Sequence, residues 1–193
     1  MSGLVDSVLS NLGPGQIGAI AAQLGVDPAQ AQSAIEHAVP AIVGGMARNA
    51  STADGASALN DALGAHGGDL SGILGSVLGG GSGSGIGGAI LGHVFGGNQG
   101  AVNQSLGHAT GMNSQNAGQL MAILAPIVMG ALANHAQGQN VGAGGLGGML
   151  AQEVQQVQQQ GGSAGGLLNS VLGAGGGNLS GMLGGLLNAF TKR

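Results

Sequence analysis

Gly111-Met-Asn-Ser-Gln-Asn-Ala-Gly-Gln-Leu-Met-Ala-Ile-Leu-Ala-Pro-Ile-Val-Met-Gly-Ala-Leu-Ala133 is the most apolar stretch of this 193-residue chain, and it has an earlier twin at residues 25–47. At an ungapped offset of 86, Gly25 meets Gly111, Asp27 meets Asn113, Ala31 meets Ala117, Pro40 meets Pro126, Gly44 meets Gly130 and Ala47 meets Ala133. A turn glycine, a capping residue and a mid-helix proline recurring in register read as an internal duplication. Each copy begins as a helix begins. Asp27 is the N-cap of the first, with Pro28 in the first turn and Gln30 placed to reach back as in a capping box; Asn113 caps the second.

In the first copy Ala31, Ala34, Ile35, Ala38, Val39, Ile42, Val43 and Met46 advance in steps of three and four, which is one apolar stripe. Gln32, Ser33, Glu36, His37 and Pro40 occupy the other face, so Pro40 is expected to point outward and to bend the helix around the core. The second copy is apolar there too, with Ala122 for Glu36, Ile123 for His37 and Ile127 for Ala41. A helix apolar all round is buried all round, which makes it the central helix or a subunit interface. Leu120, Ile123, Leu124, Ile127 and Val128 are therefore candidate interaction residues. As a membrane span the uninterrupted run 120–133 is 14 residues, short of the roughly 20 required, and Pro126 interrupts it.

Outward from the twins, Leu4, Val5, Val8, Leu9 and Leu12 make a short helix ended by Gly13-Pro14, and Ile17, Ile20, Ala21 and Leu24 a second one closed by Gly25. Ala56, Leu59, Ala62 and Leu63 give one or two further turns. Ile86, Ala89, Ile90, Val94 and Phe95 open the second half, and Val102, Leu106 and Ala109 lead to Gly111. Gly88, Gly92 and Gly96 recur every four residues, a spacing that lets a partner backbone come close. Residues 149–160 carry only Leu150, Val154 and Val157 as a narrow stripe, which predicts an exposed, weakly packed helix. Gly67-Gly-Asp-Leu-Ser-Gly-Ile-Leu-Gly75 returns as Gly176-Gly-Asn-Leu-Ser-Gly-Met-Leu-Gly184, and Leu179, Met182, Leu183, Leu186, Leu187 and Phe190 keep helical spacing. Leu183, Leu186 and Leu187 join the candidate interaction residues. The expected organisation is a first helical repeat at 1–66, a Gly-rich segment at 67–85, a second repeat at 86–160 and a Gly/Leu-rich segment at 161–193: an all-α, multihelical fold of two related halves.

Composition limits function. There are 45 glycines, two phenylalanines, no Trp, Tyr or Cys, and 5% charged residues. Without cysteine there is neither a disulfide framework nor a thiolate nucleophile. The 43% apolar fraction at helical spacing argues against disorder, which goes with apolar-poor, highly charged sequence. Residues 20–35 resemble a DNA-binding helix-turn-helix, but affinity for DNA requires several phosphates to be neutralised, and the chain has three basic side chains, Arg48, Lys192 and Arg193. His37, His66, His93, His108 and His135 never pair at the three- or four-residue spacing that joins two imidazoles on a helix. The glycine run 79–85 has no Gly-Lys-Ser/Thr and so reads as a linker, not a phosphate cradle. The seven acidic residues are scattered. No catalytic residue, cofactor or metal is expected.

Gly88-Ala-Ile-Leu-Gly-His-Val-Phe-Gly-Gly-Asn98, the turn at Gly111 and Leu124-Ala-Pro-Ile-Val-Met-Gly-Ala-Leu132 resemble the YidB-like family, bacterial proteins grouped under a domain of unknown function. The resemblance is strongest over residues 86–133, and residues 17–50 look like a diverged second copy. It implies an all-helical fold and a bacterial origin, and it brings no catalytic residues.

Three functions are compatible with this sequence. The leading one is a non-enzymatic interaction protein that forms a homo-oligomer or binds another protein, because a net charge of −4 does little to keep such apolar chains apart. The second is a membrane-surface or envelope-associated protein, for which only Lys192 and Arg193 supply a basic face. The third is a carrier of a small apolar ligand held between the halves. The acidic opening Met1-Ser-Gly-Leu-Val-Asp6 is not that of a signal peptide, so the expected compartment is the cytoplasm.

Overall fold

The computed structural model describes residues 4–66, 72, 75 and 83–160, and every assigned element there is helical. In chain order these are α1 (Leu4–Asn11), α2 (Pro14–Leu24), α3 (Pro28–Asn49), α4 (Ala53–His66), α5 (Gly83–Phe95), a 3₁₀ turn (Gly96–Asn98), α6 (Gln99–Thr110), α7 (Ser114–Gly138) and α8 (Ala143–Gln160). The repeated glycines at 67–75 and 176–184 fall almost wholly outside the described residues.

The starts and stops follow from local chemistry. Asp27 Oδ1 accepts the Ala29 N–H at 2.9 Å, and Asn113 Oδ1 accepts the Asn116 N–H at 2.7 Å, so each long helix has one orphan donor satisfied. Gly25 at φ 65° and Gly111 at φ 71° end the preceding helices in the left-handed conformation that glycine adopts without a Cβ penalty. Thr52 Oγ1 accepts the Gly55 N–H at 3.2 Å and starts α4.

Helices α3 and α7 pack on each other and form the middle of the molecule. Around α3 lie α1, α2, α4, α5, α6 and α8; around α7 lie α1, α2, α4, α5 and α6. One continuous cluster takes in Leu4 and Val8 of α1, Leu59 of α4, Leu91 of α5, Leu106 of α6 and Leu150 of α8 together with both long helices. At the offset of 86 used above, α1 stands to α5, α2 to α6 and α3 to α7 in matching order along the chain. Leu59 and Leu63 of α4 stand to Leu146 and Leu150 of α8 at an offset of 87, and all four are buried.

Four expectations are corrected. Pro40 points inward and is buried, and Ala41 is only 2% exposed. Between residues 38 and 47 the first copy has no polar side chain, so this half of α3 is as apolar all round as α7; α5 and α8 cover it, with Val94 and Phe95 lying over Gly45. Second, α8 is firmly docked: it starts earlier than the stripe suggested, Leu146 and Leu150 are fully buried, it packs on α3 and α4, and Glu153 Oε1 accepts the Val5 N–H at 3.0 Å. Third, α5 buries Gly87, Ile90, Leu91 and Phe95, leaving Ala89 exposed and Ile86 42% exposed. A Cβ at Gly88, Gly92 or Gly96 would meet open space, whereas one at Gly87 would lie 1.7 Å from the Ala122 carbonyl oxygen. The close helix approach is therefore made by Gly87, one position away from the four-residue glycine series. Fourth, α7 is 25 residues long and apolar enough to cross a membrane, so the length objection fails; what occupies its apolar surface is the rest of the chain, which buries 83% of its most apolar window.

Candidate functional site

The first five candidate interaction residues, Leu120, Ile123, Leu124, Ile127 and Val128, are all buried within the chain's own core. Of the two roles posed by an all-round apolar helix, the packing corresponds to the central helix. Leu183, Leu186 and Leu187 lie outside the described residues.

The junction of the halves is held by a reciprocal pair of bonds. Gln30 Nε2 donates to the Thr110 carbonyl at 3.2 Å, and Asn116 Nδ2 donates to the Leu24 carbonyl at 3.1 Å. Gln30 and Asn116 are counterparts at the offset of 86, as are Leu24 and Thr110, the last residues of α2 and α6. Each long helix thus uses its third residue to satisfy an orphan carbonyl at a helix end of the other half. Gln30 was expected to close a local capping box; its amide is instead spent across the junction. Replacing Gln30 or Asn116 with Ala is expected to lower stability by about 1 kcal/mol each, the usual net worth of such a bond, as read from urea unfolding midpoints.

Two clefts stand out, the first beside this junction and the second farther along the long helices, near Asn49 and Met129. One, of about 570 Å³, runs along the start of α7 against α2 and α6. Its polar wall is Gln23, Asn103, Ser114, Gln115 and Gln119; its apolar wall is Leu24, Ala122 and Ile123. No ionisable side chain lines it. Asn103 Oδ1 is buried without a hydrogen-bond partner, the one such side-chain atom among the described residues. An orphaned acceptor of this kind costs about 1–3 kcal/mol. Gly118 sits opposite: a Cβ there would lie 2.7 Å from Asn103 Nδ2. Glycine inside a helix costs about 0.5–1 kcal/mol relative to alanine. The second cleft, of about 400 Å³, lies between α4 of the first half and α5 of the second. Leu59, Ala62, Ile90 and Met129 make its apolar side, and Asn49, Asp54 and His93 stand among its polar groups.

Elsewhere four titratable groups make local helix contacts. His37 Nδ1 lies 2.6 Å from the Ser33 carbonyl, His135 Nε2 is 2.7 Å from Gln139 Nε2, Asp27 caps α3 and Glu36 accepts from Gln32. Among the described residues no three His, Cys, Asp or Glu side chains gather as a metal site. The turn between α2 and α3 has the connectivity of a helix-turn-helix, but Gln30, at its turn, is engaged with the second half rather than presented outward. Where the second copy has Asn103 and Gly118 the first has Ile17 and Gln32, but the copies differ at most aligned positions, and only the packing shows that these two differences meet in one place.

The fold defines the class: an all-α, multihelical protein built on two long central helices. Residues 6–135 match the family described as bacterial protein of unknown function (DUF937), and the chain belongs to that family, the YidB family. The match spans α1 to α7 and thus includes both long helices. No curated protein and no solved structure matches the chain.

Proposed function

We propose that this is a non-enzymatic interaction protein that self-associates, with the association carried by the Gly/Leu-rich segments. The observation that supports this reading is the distribution of apolar residues. In the described body Ile86 is the single large hydrophobic side chain left exposed, so this body offers no broad apolar patch. Yet the sequence beyond Gln160 repeats apolar residues at helical spacing, among them Leu183, Leu186 and Leu187, with two basic charges and no acidic one. Apolar side chains in that number are a driving force for burial, at about 25 cal/mol per Å² removed from water. Leu120, Ile123, Leu124, Ile127 and Val128 are committed to the core and do not supply the surface. Light scattering on the full chain should give a mass above that of the monomer, and Leu183→Glu/Leu187→Glu in the full chain should lower it. A monomeric full chain, or an oligomer indifferent to both substitutions, would remove the proposal.

The cleft between α4 and α5 favours a second reading, a carrier of a small, largely apolar molecule, since its walls come from both halves and are mainly apolar. Native mass spectrometry of the purified chain should then show a copurifying ligand, which Ala62→Phe displaces.

A further inference from the structure

We propose that the amide-lined cleft at the start of α7 is a binding site for an uncharged, polyhydroxylated small molecule of the saccharide class. Two residues at this cleft, Asn103 and Gly118, differ from what the first half carries in the corresponding places. At the position of Asn103 the first half has Ile17, which is packed against the core, so this place in the architecture accepts an aliphatic side chain. At the position of Gly118 it has Gln32, an ordinary exposed helix residue that donates to Glu36 at 3.3 Å. The second half departs from both in one spot, and both departures are locally unfavourable: an acceptor buried without a donor, and a glycine in a helix interior. The glycine makes room for the Asn103 amide, and the asparagine carries an unsatisfied hydrogen-bonding group at the cleft wall, which is where function rather than folding is expected to set the residue.

The lining decides the chemistry. Gln23, Asn103, Ser114, Gln115 and Gln119 each can donate and accept, and none carries charge. A ligand of alternating donors and acceptors with no ionic group matches that wall, and hydroxyl groups do both at every position. Leu24, Ala122 and Ile123 give an apolar side for the C–H face of a sugar ring. The volume of about 570 Å³ lies within the 300–1,000 Å³ typical of small-molecule sites. Phosphorylated or acidic sugars find no cation here. The site is distinct from the proposed self-association, which does not use these residues.

The test is a titration of the ¹⁵N-labelled full chain with trehalose as a neutral disaccharide probe. Expected are saturable shifts in the side-chain amides of Asn103, Gln115 and Gln119 in the millimolar range, weakened about tenfold or more by Asn103→Ile through loss of its hydrogen bond. Gly118→Gln, which places in the cleft the residue that the first half carries, should abolish them. Asn103→Ile should melt at or above the temperature of the parent chain, since it removes an unpartnered acceptor. The proposal is overturned by the absence of saturable shifts, by equal trehalose binding in both variants, or by triglycine shifting these amides where trehalose does not. It is also overturned by a clearly lowered melting temperature for Asn103→Ile, which would make the asparagine a structural requirement.

Discussion

Ile127→Glu is expected to leave the chain largely unfolded at room temperature. Ile127 is fully buried in the middle of α7, no polar or charged residue is buried among the described residues, and a buried carboxylate without a partner costs several kcal/mol, against a total stability of about 5–15 kcal/mol for a domain. The first-copy counterpart decides how the two halves are related. Ala41 was expected on a solvated face, where a charge costs little; at 2% exposure it is as enclosed as Ile127, and Ala41→Glu should be comparably damaging. His37, the counterpart of Ile123, remains only half-buried, and His37→Glu should cost about 1 kcal/mol or less, as substitutions near the surface do. Thermal unfolding followed by far-ultraviolet circular dichroism should therefore place Ala41→Glu with Ile127→Glu and His37→Glu with the parent chain.

Gly87→Ala should be the most damaging single methyl group that can be added to the described chain's second half. Its Cβ would fall 1.7 Å from the Ala122 carbonyl oxygen and 2.6 Å from the carbonyl carbon, both backbone atoms of α7, so no side chain can turn away to make room. Helix α5 would have to lift from α7, at a cost of about 3 kcal/mol, the upper end for overpacking. Gly88→Ala and Gly92→Ala meet nothing within 4 Å and should each stabilise by about 0.5–1 kcal/mol through the helix propensity of alanine. Urea unfolding of the three variants measures this directly. A Gly87→Ala chain as stable as the parent would mean that the two helices are not in backbone contact.

Much of this architecture could be read from particular residues. The caps Asp27 and Asn113, the turn glycines Gly25 and Gly111 and the apolar run of α7 act within a few residues of themselves, and the structure uses them as their local chemistry dictates. Pro40 was misplaced because Gln32, Ser33, Glu36 and His37 gave α3 a polar face that stops at residue 37; the ten apolar residues after it carried the opposite signal. Gly87 was passed over for the series Gly88, Gly92 and Gly96 because periodicity along one helix does not say which backbone lies across from it. Gln30 suited a local cap and a distant carbonyl equally well, and the distant one is 80 residues away. Weak packing was expected for α8 from a stripe that omitted Leu146, and the cleft at Asn103 emerges only from packing, which sets α6 beside the start of α7 and Asn103 against Gly118.

The central claim is that the two halves share one core, with α3 and α7 as equal partners in it. Native-state hydrogen exchange on the full chain tests this most directly, because it reads the opening free energy of each helix separately. The account predicts that backbone amides of residues 41–46 and 127–132 exchange with the same, highest free energy and respond alike to denaturant, as one cooperative unit. Exchange of the 41–46 amides through a lower-energy opening, while those of 127–132 stay protected to the global limit, would contradict it.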